Sequence, residues 1–157
     1  MNLVTDFLHS QLGKLWVSDA SHDVEKNIIP NEYDAILLVR IAFWMMHGVD
    51  ILSSENGFGK SAMANLMTNS VGRIEHNSYK MKAGDILFFQ TQLSSGVDSA
   101  ENNVCHCGVY VGKGAFIHAS PFAGRVVKDR LHDVSRNKGS LFRELFVARK
   151  VIYGVVI

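Results

Sequence analysis

Two histidines lie where solvated loop residues would not be expected. His106 is inside the apolar run Val104–Val111, and His118 is inside the run Ala115–Ala119. The segment Gly112-Lys113-Gly114 separates them and reads as a turn. Side chains alternate along a strand, so His106, Gly108 and Tyr110 share one face. Cys105, Cys107, Val109 and Val111 share the other. A three-residue turn pairs Val111 with Ala115 and Gly108 with His118. His118 then joins His106 on one face, one diagonal step away, at about 5–8 Å between Cβ atoms. A two-residue turn would put it on the opposite face. Gly108 reads as leaving open space between the rings. Either histidine alone would be an ordinary half-buried strand residue; the pair points to a site.

Other residue types offer less. Cys105 and Cys107 are the only cysteines. Two residues apart on one strand, they are too far apart for a relaxed disulfide. A Cys-His-Cys metal site is also poor, because the histidine faces away from both thiols. They read as buried, inert thiols. No metal or other cofactor is expected: His106, His118 and His47 can be gathered, but no carboxylate shows ligand spacing. His9, His22, His76 and His132 read as surface residues.

The elements that must position the pair follow from periodicity. Leu3, Val4, Phe7, Leu8, Gln11 and Leu12 recur at helical spacing, with Gly13 as the stop. LGKLWVSD turns into a short extended piece, and residues 19–32 are polar and irregular. Tyr33 to Gly48 is the most apolar helix, capped by Asp34 or Asn31 and ended by Gly48. Being apolar almost all round, it belongs at the centre of the domain. Its first turn contains Ala35. There the unpaired N–H groups and the dipole favour an anion and would lower the pKa of a thiol. A short helix is expected over Ser61–Asn69 and strands over Val71–Ile74 and Ile86–Phe89. The loop from Gln90 to Asn103 is long, polar and directly before His106, which suits substrate or partner selection. Residues 121–140 read as irregular, and Leu145–Ile157 as strand-rich, closing the sheet.

Composition excludes several classes. A chain of 157 residues is enough for one domain with a real core, and it is read as a single domain over 1–157. A net charge of +1 gives no argument for nucleic acid or an acidic membrane surface. The longest apolar run, Ala35 to Met46, is broken by Arg40 and too short to span a bilayer. The N-terminus has no basic region followed by an apolar one, so no secretory signal is read.

Three blocks, in order, resemble the NlpC-type cell-wall cysteine peptidases of the papain-like superfamily. LGKLW (Leu12–Trp16) is similar to the family's LGxPY block, and YDAILLV (Tyr33–Val39) to its FDCSGLV block. GDILFF followed by HCGVYVGKGAFIHA is similar to GDLVFF followed by HVGIYLGNGxxIHA, the most specific of the three. LFVARKVI resembles the last strand. The resemblance implies an α+β papain-like fold, with N-terminal helices and a buried central helix packed on an antiparallel sheet. It implies His106 as general base and acid, His118 as the residue that orients it, and Ala35 at the place of the nucleophilic cysteine. It puts Asp34 and Trp16 at the substrate or oxyanion site, Trp16 standing where a tyrosine often assists. Ile36-Leu37 replaces the family's Ser-Gly.

Alanine is no nucleophile, so the chain as it stands is expected to be inactive. The retained histidines favour a cysteine-to-alanine replacement in an enzyme that hydrolyses peptidoglycan stem peptides. The alternative is a natural, catalytically dead module that binds a peptide or a partner protein. A permuted papain-like acyltransferase fits poorly, because no cysteine follows His118. A small wall hydrolase without a signal suits an injected antibacterial effector or a phage-borne enzyme, made in the cytoplasm and acting in the periplasm or wall after non-classical export. Such an effector implies an immunity protein that plugs the groove.

Overall fold

The computed structural model describes residues 2–20, 23–51, 73–75, 80–90, 104–131 and 146–151. Helix α1 spans Leu3–Ser10, where Asn2 accepts a hydrogen bond from the Thr5 N–H. It buries Val4, Phe7 and Leu8. Strand β1 (Leu15–Trp16) follows, then a 3-10 turn at Val24–Lys26 and strand β2 (Glu32–Tyr33). Helix α2 spans Ala35–His47. Asp34 caps it, accepting from the Leu37 N–H at 2.8 Å. Gly48 ends it at φ 65°, a left-handed conformation that costs glycine little. Leu37, Leu38, Val39, Ile41, Ala42 and Phe43 are buried, so the helix is central, as its apolar circumference requires. The Tyr33 hydroxyl donates to Gln11 Oε1 at 2.7 Å, tying the start of α2 to α1.

The remaining strands are β3 (Arg73–Glu75), β4 (Ile86–Gln90), β5 (Val104–Gly112), β6 (Ala115–Ser120), β7 (Arg125–Arg130) and β8 (Phe146–Val151). Their order across the sheet is β2-β1-β7-β6-β5-β4-β8-β3. Among the described residues every pairing is antiparallel except that of β1 with β2, which is parallel and two residues long. β5 is therefore central, between β4 and β6.

The sheet has two apolar faces. Ile86, Phe88, Cys107, Val109, Ile117, Ala119 and Val126 pack with α1 and α2 in the main core. Leu87, Phe89 and Phe116, with Tyr110, Met81 and Leu131 against them, form a second, smaller cluster. The period-2 alternation of β4, β5, β6 and β7 assigns each residue to its cluster.

Two expectations change. Residues 125–130 are not irregular but form β7, paired with β6 along its whole length from Ala115↔Arg130 to Ser120↔Arg125. Its charged residues obscure the strand because Arg125, Lys128 and Arg130 are exposed. The β5–β6 turn is also different. Gly112 pairs with Ala115, leaving a two-residue turn at Lys113 (φ 53°) and Gly114 (φ 76°). Positive φ at both positions is the turn that matches strand twist in hairpins. Val111 is left as a bulge, and beyond it Tyr110↔Phe116 and Val109↔Ile117 pair as a three-residue turn would have them. The bulge restores the odd count, so His118 keeps the His106 face. The expected helix at Ser61–Asn69, the start of the strand at Val71–Ile74 and nearly all of the loop Gln90–Asn103 lie outside the described residues.

Candidate active site

The two rings meet. His106 Nε2 and His118 Nδ1 are 2.7 Å apart, with ring centroids at 4.9 Å and planes at 78°. Both side chains are buried, at 3% and 1% exposure. Phe89 lies against the His106 ring at 5.9 Å and Phe116 against the His118 ring at 4.5 Å. The pair thus belongs to the second cluster's face of the sheet. Two bulges flank it. One is Val111; the other is Cys105, skipped between the pairs Gln90↔Val104 and Phe89↔His106. A bulge bends and twists its strand and re-aims neighbouring side chains, and this one immediately precedes His106.

Gly108 does not leave open space. A Cβ on it would stand 2.9 Å from the Ile117 carbonyl oxygen, 3.0 Å from His118 Cβ and 3.1 Å from Phe116 Cδ2. The glycine lets β6 approach β5 closely enough for the rings to bond.

Sequence reasoning missed Asp129. Its Oδ2 is 2.7 Å from His118 Nε2. It sits on β7, two residues from Val127, the partner of His118, and so on the same face and one diagonal step away. Reading β7 as a strand would have found it. The hydrogen bond from His118 holds the Asp129 carboxyl below the usual carboxylate range.

The start of α2 reaches β5 from the main-core face. The Cys107 thiol donates to the Ala35 carbonyl at 3.4 Å, and Ala35 is only 8% exposed. Alternation turns Cys107 toward the helix and its neighbour His106 to the other face. Residue 35 and His106 are thus brought to the same point of β5, from its two sides. Asp34 acts as the helix cap, and burial raises its carboxyl pKa. Trp16 pairs in register with Tyr33, one residue from Asp34, and packs partly buried against the main core. Cys107 is an inert thiol: burial, and then the charge of Asp34, push its pKa well up. The Cys105 side chain lies outside the described residues.

Burial, and then the neighbouring His118, push His106 well below its ordinary value of 6.5. The unfolded chain therefore takes up a proton where the folded one does not, and stability is lost as the pH falls from about 6.5 toward the folded value. Denaturant midpoints are expected to drop between pH 8 and pH 5.5, with a slope of at most about 1.4 kcal/mol per pH unit for this one proton. His106→Leu is expected to flatten that dependence. An unchanged slope in that variant would place the pH sensitivity elsewhere.

A buried central helix packed on an antiparallel sheet, with two bonded histidines on adjacent strands, defines a papain-like α+β domain. The chain belongs to the NlpC/P60 family, which it matches over residues 8–146. Its likeness to solved structures agrees. NlpC2 from Trichomonas vaginalis is 24% identical, with a TM-score of 0.59, over 82% of this chain and 41% of that one. The NlpC/p60 domain of the peptidoglycan hydrolase SagA is 17% identical, with a TM-score of 0.63, over 96% of this chain and 100% of that one. RipB, a peptidoglycan hydrolase from Mycobacterium tuberculosis, is 18% identical, with a TM-score of 0.58, over 99% of this chain and 64% of that one. At these identities the likeness establishes the fold. The chain spans 41% and 42% of the length of the two Trichomonas structures, NlpC2 and NlpC1. No curated protein matches it. Among the described residues, no helix is long and apolar enough to cross a membrane.

Proposed function

We propose that this domain is built as a cysteine peptidase or amidase for amide bonds in peptidoglycan stem peptides, with residue 35 at the nucleophile position. With Ala35 it holds such peptides without cutting them. The observation that carries this reading is the buried 2.7 Å link between His106 and His118, inside the stretch that matches the NlpC/P60 family. That two structural neighbours are named as peptidoglycan hydrolases supports the substrate class.

The chemistry follows from the parts. A thiolate at residue 35, favoured by the helix start, attacks the amide carbonyl. A backbone N–H group of the first turn stabilises the oxyanion. Asp34 already takes the Leu37 N–H and also bonds that of Ile36, so the Ala35 N–H is the donor of that turn assigned to the oxyanion. The imidazolium of His106 gives its proton to the leaving amine, and His118 holds the ring. Water, activated by the same ring, then hydrolyses the thioester. Trp16, beside the helix start, forms an apolar wall for the bound peptide. The scheme requires the thiol and the His106 ring to meet past the β5 backbone between them.

Incubation of Ala35→Cys with purified peptidoglycan is expected to release soluble stem-peptide fragments, and the Ala35 chain to release none. A folded Ala35→Cys protein that leaves the polymer intact would sink this reading. Periplasmic production of the same variant is expected to lyse bacteria if the domain serves as an antibacterial effector, and co-production of an immunity protein to protect them.

Ala35 itself favours a second reading, a binding module that keeps the groove and has given up the chemistry. In that case Ala35→Cys changes nothing in the digest, while muropeptides or a partner protein bind the Ala35 chain.

A further inference from the structure

We propose that Asp129 is a positioning residue of this site, and that its carboxylate decides which nitrogen of His106 is free of a proton. The catalytic meaning of this rests on the function proposed above; the proton pattern does not.

The three groups form one line. Asp129 Oδ2 is 2.7 Å from His118 Nε2, and His118 Nδ1 is 2.7 Å from His106 Nε2. Each neutral imidazole has one N–H and one lone pair. Two such rings bonded to each other can arrange their protons in either direction. A carboxylate removes the choice, because an ionised carboxylate only accepts. Asp129 is held in that form by the hydrogen bond from His118 and is 45% exposed, so water reaches its remaining lone pairs. A neutral His118 then carries its proton on Nε2 and accepts on Nδ1. His106 must donate from Nε2, which leaves Nδ1 as its proton-accepting nitrogen. In the reverse arrangement His106 Nδ1 carries a proton and cannot take one from a thiol.

The lever is also well placed mechanically. Both rings are almost fully buried, with Phe89 against His106 and Phe116 against His118. Asp129 stands on β7, where the pair Ala115↔Arg130 to Ser120↔Arg125 holds it in register with His118. A charge-assisted link of this length is among the stronger ones a side chain makes.

The test uses nitrogen-15 spectra of the histidine rings in the Ala35 chain at neutral pH. The expected result is the Nε2–H tautomer for both His106 and His118. Asp129→Leu is expected to replace that single pattern by a mixture or its reverse. Asp129→Asn, whose carbonyl oxygen can still accept, is expected to restore most of it, and it serves if the leucine variant fails to fold. In the Ala35→Cys background, Asp129→Leu is expected to lower kcat about ten- to a hundred-fold with KM little changed. That is less than the roughly 10⁴-fold cost of a mis-set tautomer in a serine triad, because the carboxylate acts one ring further out. Ring spectra that are the same with and without the carboxylate overturn the proposal, as does a proton on His106 Nδ1 in the parent. If the tautomers respond but Ala35→Cys cuts nothing, the peptidase reading fails and the positioning role stands. If Ala35→Cys cuts and neither kcat nor the spectra respond to Asp129→Leu, the positioning role fails alone.

Discussion

The thiol introduced by Ala35→Cys is expected to titrate well below the ordinary value of about 8.5, and His106→Ala in the same chain is expected to bring it back up. Three effects compete at residue 35. The helix start, with its unpaired N–H groups and dipole, favours the thiolate, but such a dipole term is worth only about 0.3–1 kcal/mol at an exposed site, and up to about 2 in partly buried geometry. Burial opposes it, since Ala35 is 8% exposed, and so does the neighbouring Asp34 carboxylate. Cys107 shows what those two opposing effects do without help: its thiol, on the Ala35 carbonyl, is pushed well up by burial and by Asp34. A depressed thiol at residue 35 therefore needs a proton acceptor within reach, and His106 is the group the reading supplies. The check is the rate of alkylation against pH, resolved by site, with Cys107 as the internal control that stays protonated. Loss of the acid–base group is expected to lower hydrolysis by about 10²–10⁴-fold. A thiol that titrates at or above about 8.5 in the single variant would mean that the strand keeps ring and sulfur apart, and the assignment of residue 35 to His106 would fall.

Why that assignment needs a measurement shows what a sequence can and cannot say here. Alternation along Val104–Val111 was enough to separate Cys107 and Val109 from His106 and Tyr110, and the structure sorts them into two clusters as the alternation requires. Alternation says nothing about which face a helix will cover. Helix α2 covers the Cys107 face, so the start of the helix and the histidine rings approach β5 from opposite sides. The helix itself was readable because its apolar residues leave no polar stripe and Asp34 and Gly48 mark its ends. The pairing of the histidines was readable for a partly wrong reason. A two-residue turn would have separated them, and the Val111 bulge, which no residue type announces, cancels its effect. Asp129 was hidden because Arg125, Lys128 and Arg130 made β7 resemble a solvated loop, although Val126 is buried in the main core. A short strand with one buried apolar residue and exposed charges along it carries too little apolar signal to be seen alone.

Gly108→Ala is expected to be the most damaging single methyl in the described sheet. Its φ is ordinary, so the reason is space, not backbone strain. The added carbon would stand 2.9 Å from a carbonyl oxygen of β6, closer than real side chains come, and 3.0 Å from the Cβ of His118. Neither neighbour is the free end of a flexible chain. Ile117 is buried in the main core and His118 is held by Asp129, so relief requires β6 to move as a unit. Overpacking of this kind costs about 1–3 kcal/mol, seen as a lower denaturant midpoint with an unchanged slope. The shift has a chemical consequence that a plain stability loss would not have. Moving β6 away lengthens the 2.7 Å link between the rings, so the surviving folded protein should show altered histidine tautomers, and in the Ala35→Cys background a lower kcat. A Gly108→Ala protein as stable as its parent, with ring spectra unchanged, would mean that β5 and β6 can part at no cost. The close approach would then not be what joins the two histidines.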